Sequence, residues 1–213
     1  MLFRLLPDHL DVLIILFPVL LFALSFHEFA HGLTAYILGD DTAQQQGRLT
    51  LNPLAHLDLI GSLMILFVGF GWAKPVPVNP SNLKNVSSDM IKIAFAGPAS
   101  NLFLALIAGL VMRYFEMFQI SVNQSTSLSL YFFLYINIAL AVFNLIPIAP
   151  LDGSQIFDSI LSRKNPDIAW KLKINGPKIL LALILFGIIS GYSIIGFIMS
   201  PFINLFIYLF AGI

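Results

Sequence analysis

The chain has 213 residues, of which 58% are hydrophobic and only 10% charged, whereas soluble domains run near 45–50% apolar and about 25% charged. With a mean hydropathy of +0.90 it reads as an integral membrane protein. Eleven basic and eleven acidic residues leave zero net charge, so nothing points to nucleic acid. The absence of cysteine excludes disulfides and thiolate metal sites. Any metal must be held by His, Asp or Glu, and there are four His and two Glu. At roughly 20 residues per span the length predicts about four to six transmembrane helices and no sizeable extramembrane domain. The expected architecture is an all-α polytopic membrane protein, one domain over 1–213, with a small β-hairpin or re-entrant segment.

The first apolar run covers about 10–38. It opens after Pro7-Asp8 and closes at Gly39-Asp40-Asp41. It is too long for the apolar core of a cleaved signal peptide, and His27, Glu28 and His31 interrupt its second half. Residues 40–60 are mixed. Within them Gly47 to Leu51 alternates polar and apolar, a short strand signal. Residues 60–71 are apolar, with glycines at 61, 69 and 71, and are too short to span, which suggests a re-entrant or interfacial segment. The prolines of Lys74-Pro75-Val76-Pro77-Val78-Asn79-Pro80 forbid a helix and in a sheet require an edge. Strands at 47–51 and 75–79 would flank the re-entrant segment as a small sheet.

A second span is predicted over about 90–115 and a third over about 128–150. A basic loop follows, with Arg163, Lys164, Lys171, Lys173 and Lys178. The core therefore runs over about 10–160 and C-terminal helices over about 178–213. The last 35 residues would measure about 50 Å as one helix, too long for one crossing. Gly187, Gly191, Gly196 and Pro201 divide them into two short segments, or into one span with an interfacial tail. Segments 39–92 and 151–178 fall on one side and hold nine of the eleven basic residues, leaving Arg4 and Arg113 on the other. The positive-inside rule places those segments in the cytoplasm and the N-terminus outside a multi-pass cell-membrane protein.

His27-Glu28-Phe29-Ala30-His31 is an HExxH motif. Residues four apart share a helix face, so both imidazoles can reach one ion while Glu28 lies beside them to act on water. Three ionisable groups in five positions of an apolar span are expensive without a cation. A catalytic zinc site expects a third protein ligand. Asp152, in Pro147-Ile148-Ala149-Pro150-Leu151-Asp152-Gly153 at a proline-broken helix end, is the leading candidate. Its alternative role is to cap the helix starting near Ser154. His56 and Asp58 are rivals. Asn101 and Asn144 are amides in apolar spans, where each must be hydrogen-bonded. Asn144, eight residues before Asp152, suits substrate orientation or oxyanion support, and Asn101 suits either that or helix–helix glue. Gly97 and Pro98 suit close helix approach and a kink.

His27-Glu28-x-x-His31, Gly97-Pro98-Ala99-Ser100-Asn101, and Asn144 through Pro147 to Leu151-Asp152-Gly153 resemble, in order, the three signatures of the site-2 protease family of intramembrane zinc metalloproteases. The resemblance covers about residues 20–160. Leu51-Asn52-Pro53-Leu54-Ala55-His56-Leu57-Asp58 is similar to its small bacterial members, without the PDZ or CBS domain of larger relatives. The resemblance implies one Zn2+ per chain held by His27, His31 and Asp152, with Glu28 as catalytic base; from its place in the polar stretch, His56 is a possible accessory. It implies an endopeptidase that cuts in or near the transmembrane segments of membrane-protein substrates. Glu28 lies about 15 Å along the helix axis from the end of the first span, so the metal would lie inside the bilayer toward the cytoplasmic face, reached by a polar channel. A helical substrate must unwind there, and the strand at 47–51 offers an edge on which an extended segment could pair. Two other classes stand beside the enzyme. One is an ion or solute transporter, disfavoured by the lack of an inverted repeat. The other is a catalytically inactive membrane-protein binder, disfavoured by the intact Glu28. The oligomeric state and the substrate are not written in the sequence.

Overall fold

A computed structural model describes residues 10–68, 71–162 and 164–213. Pro7-Asp8, Arg4, Gly69 and Arg163 lie outside the described residues. In chain order the helices are α1 (Leu10–Ile37), α2 (Thr42–Gln45), α3 (Pro53–His56), α4 (Leu59–Val68), α5 (Val86–Met117), α6 (Gln124–Asn144), α7 (Asp152–Leu161), α8 (Pro166–Ser190) and α9 (Ile194–Ala211). A 3₁₀ turn at Pro80–Asn82 precedes α5. Five of them, α1, α5, α6, α8 and α9, are long and apolar enough to cross a membrane, as expected of a multi-pass membrane protein.

The helix boundaries follow local chemistry. Asn85, Asn123 and Ser193 each accept a hydrogen bond from a first-turn N–H of α5, α6 and α9, satisfying donors that a helix start leaves open. At the end of α1, Gly39 adopts φ +106°. Its N–H donates to Tyr36 O, and the Asp40 N–H reaches back to Ala35 O, a pair of bonds that closes a helix through one left-handed residue. The third span stops at Asn144, short of the expected 150. Pro147 disfavours the helical conformation of the residue before it, and the chain passes through turns to Leu151.

The long helix α5 is the hub and packs against α1, α6, α7 and α9. Its Ala105 and Ala108 join Leu134, Ile138 and Val142 of α6 and Ile203, Ile207 and Ala211 of α9 in one buried apolar cluster. Beside it, Gly109 lets α9 close in: an added Cβ would lie 2.7 Å from the backbone carbon of Phe210. Small residues at such crossings let helices pack where lipid supplies no hydrophobic drive.

Two expectations are corrected. Among the described residues there is no strand, so the β-hairpin, and with it the docking edge at 47–51, is not formed. The segment 71–79 has no regular secondary structure, and its donors go elsewhere. Pro75 and Pro77 have none. The Lys74 N–H donates to His56 O, the Val76 N–H to the Glu28 carboxylate and the Asn79 N–H to Asp40 Oδ2. On the other segment, the Arg48 N–H turns back to Ala43 O. Its guanidinium grips Lys74 O at 2.7 Å. A strap pinned by side chains takes the place of a ladder. Nor is the basic stretch after the third span a loop: Lys171, Lys173 and Lys178 lie on α8.

Candidate metal centre

The second half of α1 carries His27, Glu28 and His31. The helical register sets the two imidazoles against one face of α5, their rings edge to face with centroids 4.7 Å apart. The turns after α6 deliver Asp152 as the first residue of α7. Its carboxylate caps nothing. Instead Oδ2 lies 3.0 Å from His27 Nε2 and 3.3 Å from His31 Nε2. One ligand atom from each of the three residues falls within 4.8 Å of the others. His27 is 4% exposed, and His31 and Asp152 9% each.

The surroundings aim these atoms. The His31 Nδ1–H donates to Ile93 O at 2.6 Å. The His27 Nδ1–H donates to Asn101 Oδ1, also at 2.6 Å. With both Nδ1 atoms engaged, both Nε2 atoms turn inward, the arrangement by which outer partners fix metal-ligating histidines. Gly97 faces them from α5, where a Cβ would collide with both Nε2 atoms. The missing side chain at Gly97 thus lets α5 lie against both rings, the close helix approach its motif suggested. Two imidazoles, a carboxylate, tied outer nitrogens and a side-chain-free wall fit a divalent metal of the zinc type.

Glu28 and Asn144 line the same cavity as the three donors, a space of about 580 Å³ walled by the strap at Trp72, Pro75 and Val76 and by α8 at Leu180. The Val76 N–H donates to Glu28 Oε2 at 2.9 Å. Asn144 closes α6, and its amide donates to Leu140 O at 3.0 Å. His56 and Asp58 are not among the clustered donors. His56 is 1% exposed and its Nε2–H donates to Thr50 O at 2.7 Å. Asp58 accepts from the Gly61 N–H. Asn101, 0% exposed, gives its oxygen to His27 and its amide hydrogens to Ala23 O and Asn137 Oδ1, so no polar group remains for a substrate. Asn137, also 0% exposed, belongs to none of the sequence motifs. The signal that marks it is an amide in the middle of an apolar span.

Comparison with known proteins bears on what this cluster does. The profile of peptidase family M50 matches residues 110–187. YwhC of Bacillus subtilis, named as a zinc metalloprotease, is 43% identical over 146 residues, 67% of this chain and 67% of its own. The chain belongs to peptidase family M50, the site-2 protease family. As a member of M50 it is a metalloendopeptidase. Rip2 of Mycolicibacterium smegmatis is 30% identical over 75% of this chain and 61% of its own length. MJ0392 of Methanocaldococcus jannaschii is 31% identical over 53% of this chain and 32% of its own. Both are named as zinc metalloproteases. No solved structure matches the chain.

Proposed function

We propose that residues 1–213 act as one zinc-dependent intramembrane endopeptidase, hydrolysing peptide bonds in or near the transmembrane segments of membrane proteins. The observation that carries this is the convergence of His27, His31 and Asp152 with Glu28 on the wall of one cavity among membrane-spanning helices. His27, His31 and Asp152 would hold the ion through their inward-facing atoms. Zinc, when bound, supplies Lewis acidity that lowers the pKa of water and polarises a carbonyl. Glu28 takes the proton from the attacking water and passes it to the leaving amide nitrogen. Asn144, on the same wall, has a second amide hydrogen beyond the one given to Leu140 and donates it to the scissile carbonyl. Asn101 serves the metal ligand rather than the substrate.

The distribution of Lys and Arg supports an active site opening toward the cytoplasm with the N-terminus outside. Glu28 lies nine residues before the end of α1 at Ile37, about 14 Å along the axis. That depth supports cleavage within the membrane rather than above it. The test is bound zinc and cleavage of a model single-span substrate by wild type and Glu28→Gln. Both bind about one zinc and only wild type cleaves. Cleavage by the variant sinks the base assignment, and a zinc-free wild type sinks the site.

A further inference from the structure

We propose that Asn137 is a positioning residue for the metal centre: it orients the Asn101 amide, whose oxygen sets the tautomer and aim of His27. The proposal rests on the reading of His27 as a metal ligand. Asn137 sits on α6 and Asn101 on α5, both 0% exposed. An amide at this depth has no water to turn to, so each polar atom needs a protein partner.

The bonds form a chain with a fixed direction. Asn137 Nδ2–H donates to Phe133 O at 2.8 Å. Phe133 O belongs to the α6 backbone and can only accept, so the Asn137 oxygen must point the other way. There it accepts from Asn101 Nδ2 at 2.9 Å. The Asn101 amide nitrogen also donates to Ala23 O at 3.2 Å. With its nitrogen so engaged, Asn101 presents its oxygen to His27 Nδ1 at 2.6 Å. An oxygen there can only accept, so the proton sits on Nδ1 and the Nε2 lone pair faces Asp152 and His31. Flipping Asn101 would set oxygen against oxygen at Asn137. Flipping Asn137 to relieve that would set its oxygen against Phe133 O. One backbone carbonyl of α6 thereby fixes an imidazole on α1 through two side-chain amides.

The consequence is read in metal affinity, because partners that orient a ligating histidine are worth about 10–100-fold there. The experiment compares the full chain in detergent as wild type, Asn137→Leu and Asn137→Asp. Zinc affinity is measured by chelator competition and the site geometry by the visible spectrum of the Co2+-loaded protein. Asn137→Leu keeps the branching at Cγ but offers no acceptor, and it should bind zinc about tenfold or more weakly, with an altered cobalt spectrum. Protonated Asp has the shape of Asn, one acceptor and one donor. Asn137→Asp should therefore retain near-wild-type affinity and spectrum. Wild-type behaviour of Asn137→Leu, or an equal loss in both variants, overturns the proposal. If Asn137→Leu does not accumulate folded, Asn137→Ala is measured with the same expectation. A wild type that binds no zinc overturns the metal reading itself, and this is decided before any variant is compared.

Discussion

The Val76 N–H donates to Glu28 Oε2 at 2.9 Å, tying the strap to the residue between the two histidines. With Pro75 and Pro77 on either side, Val76 holds the sole backbone donor of 75–77. A charge-assisted bond of this kind contributes about 1.5–3 kcal/mol. Val76→Pro removes the donor without removing a charge. If the bond holds the base in place for proton transfer, kcat falls about 10- to 100-fold while bound zinc stays at one per chain. Unchanged kcat in the zinc-loaded variant refutes this role for the strap.

Gly97 supplies the side-chain-free wall of the centre. In Gly97→Ala, the new methyl meets His27 Nε2 and His31 Nε2 together, and neither ring can withdraw without breaking its Nδ1 bond to Asn101 or Ile93. The variant is expected to purify with little zinc and to lose cleavage, while circular dichroism keeps the helical signal. Stoichiometric zinc in Gly97→Ala would falsify this dependence of the two rings on a bare backbone at Gly97.

Asp40 sits beyond the end of α1, 0% exposed. Burial pushes its carboxyl up, but hydrogen bonds from Thr42, the Asn79 N–H and Asn82 outweigh burial and hold it below the usual carboxylate range. A depressed folded-state pKa gives stability that is present above the unfolded value near 3.8 and is lost as pH falls through the folded one. Asp40→Asn should therefore be less stable than wild type at pH 7, by about 1–3 kcal/mol. The gap should narrow as pH falls below about 4. Thermal unfolding of the two proteins in detergent at pH 7 and pH 3 measures this. A gap independent of pH refutes it.

Much of the centre is legible in the sequence because ionisable groups are so scarce there. His27, Glu28 and His31 stand out in an apolar span at a spacing that puts both rings on one face. Asp152 stands out behind two prolines at a helix end. The rest depends on contacts that local pattern does not encode. The alternation at 47–51 and the prolines at 75–77 resemble strand signals, but strands need each other's donors. Here Val76 and Asn79 give theirs to Glu28 and Asp40 from distant parts of the chain. Asn101 reads as a candidate for substrate or for helix glue, and only its distance to His27 Nδ1 shows which atom it serves. Lys171, Lys173 and Lys178 suggest a loop by charge alone, yet helix propensity for Lys is good and α8 runs through them.

Arg113, near the far end of α5, donates to Tyr208 O and Leu209 O in the last turn of α9. The shared apolar cluster runs inward from there, to Ala105 on α5 and Ile203 on α9. So α9 travels in the same direction as α5 and finishes on the face where residues 118–123 join α5 to α6. Strict alternation of five crossings would bring it out on the opposite face. The connection from α6 to α9 therefore starts and ends at the same end of the helix bundle. Within that connection α8 lays Pro177 and Leu180 against the cavity that holds the two histidines and Asp152.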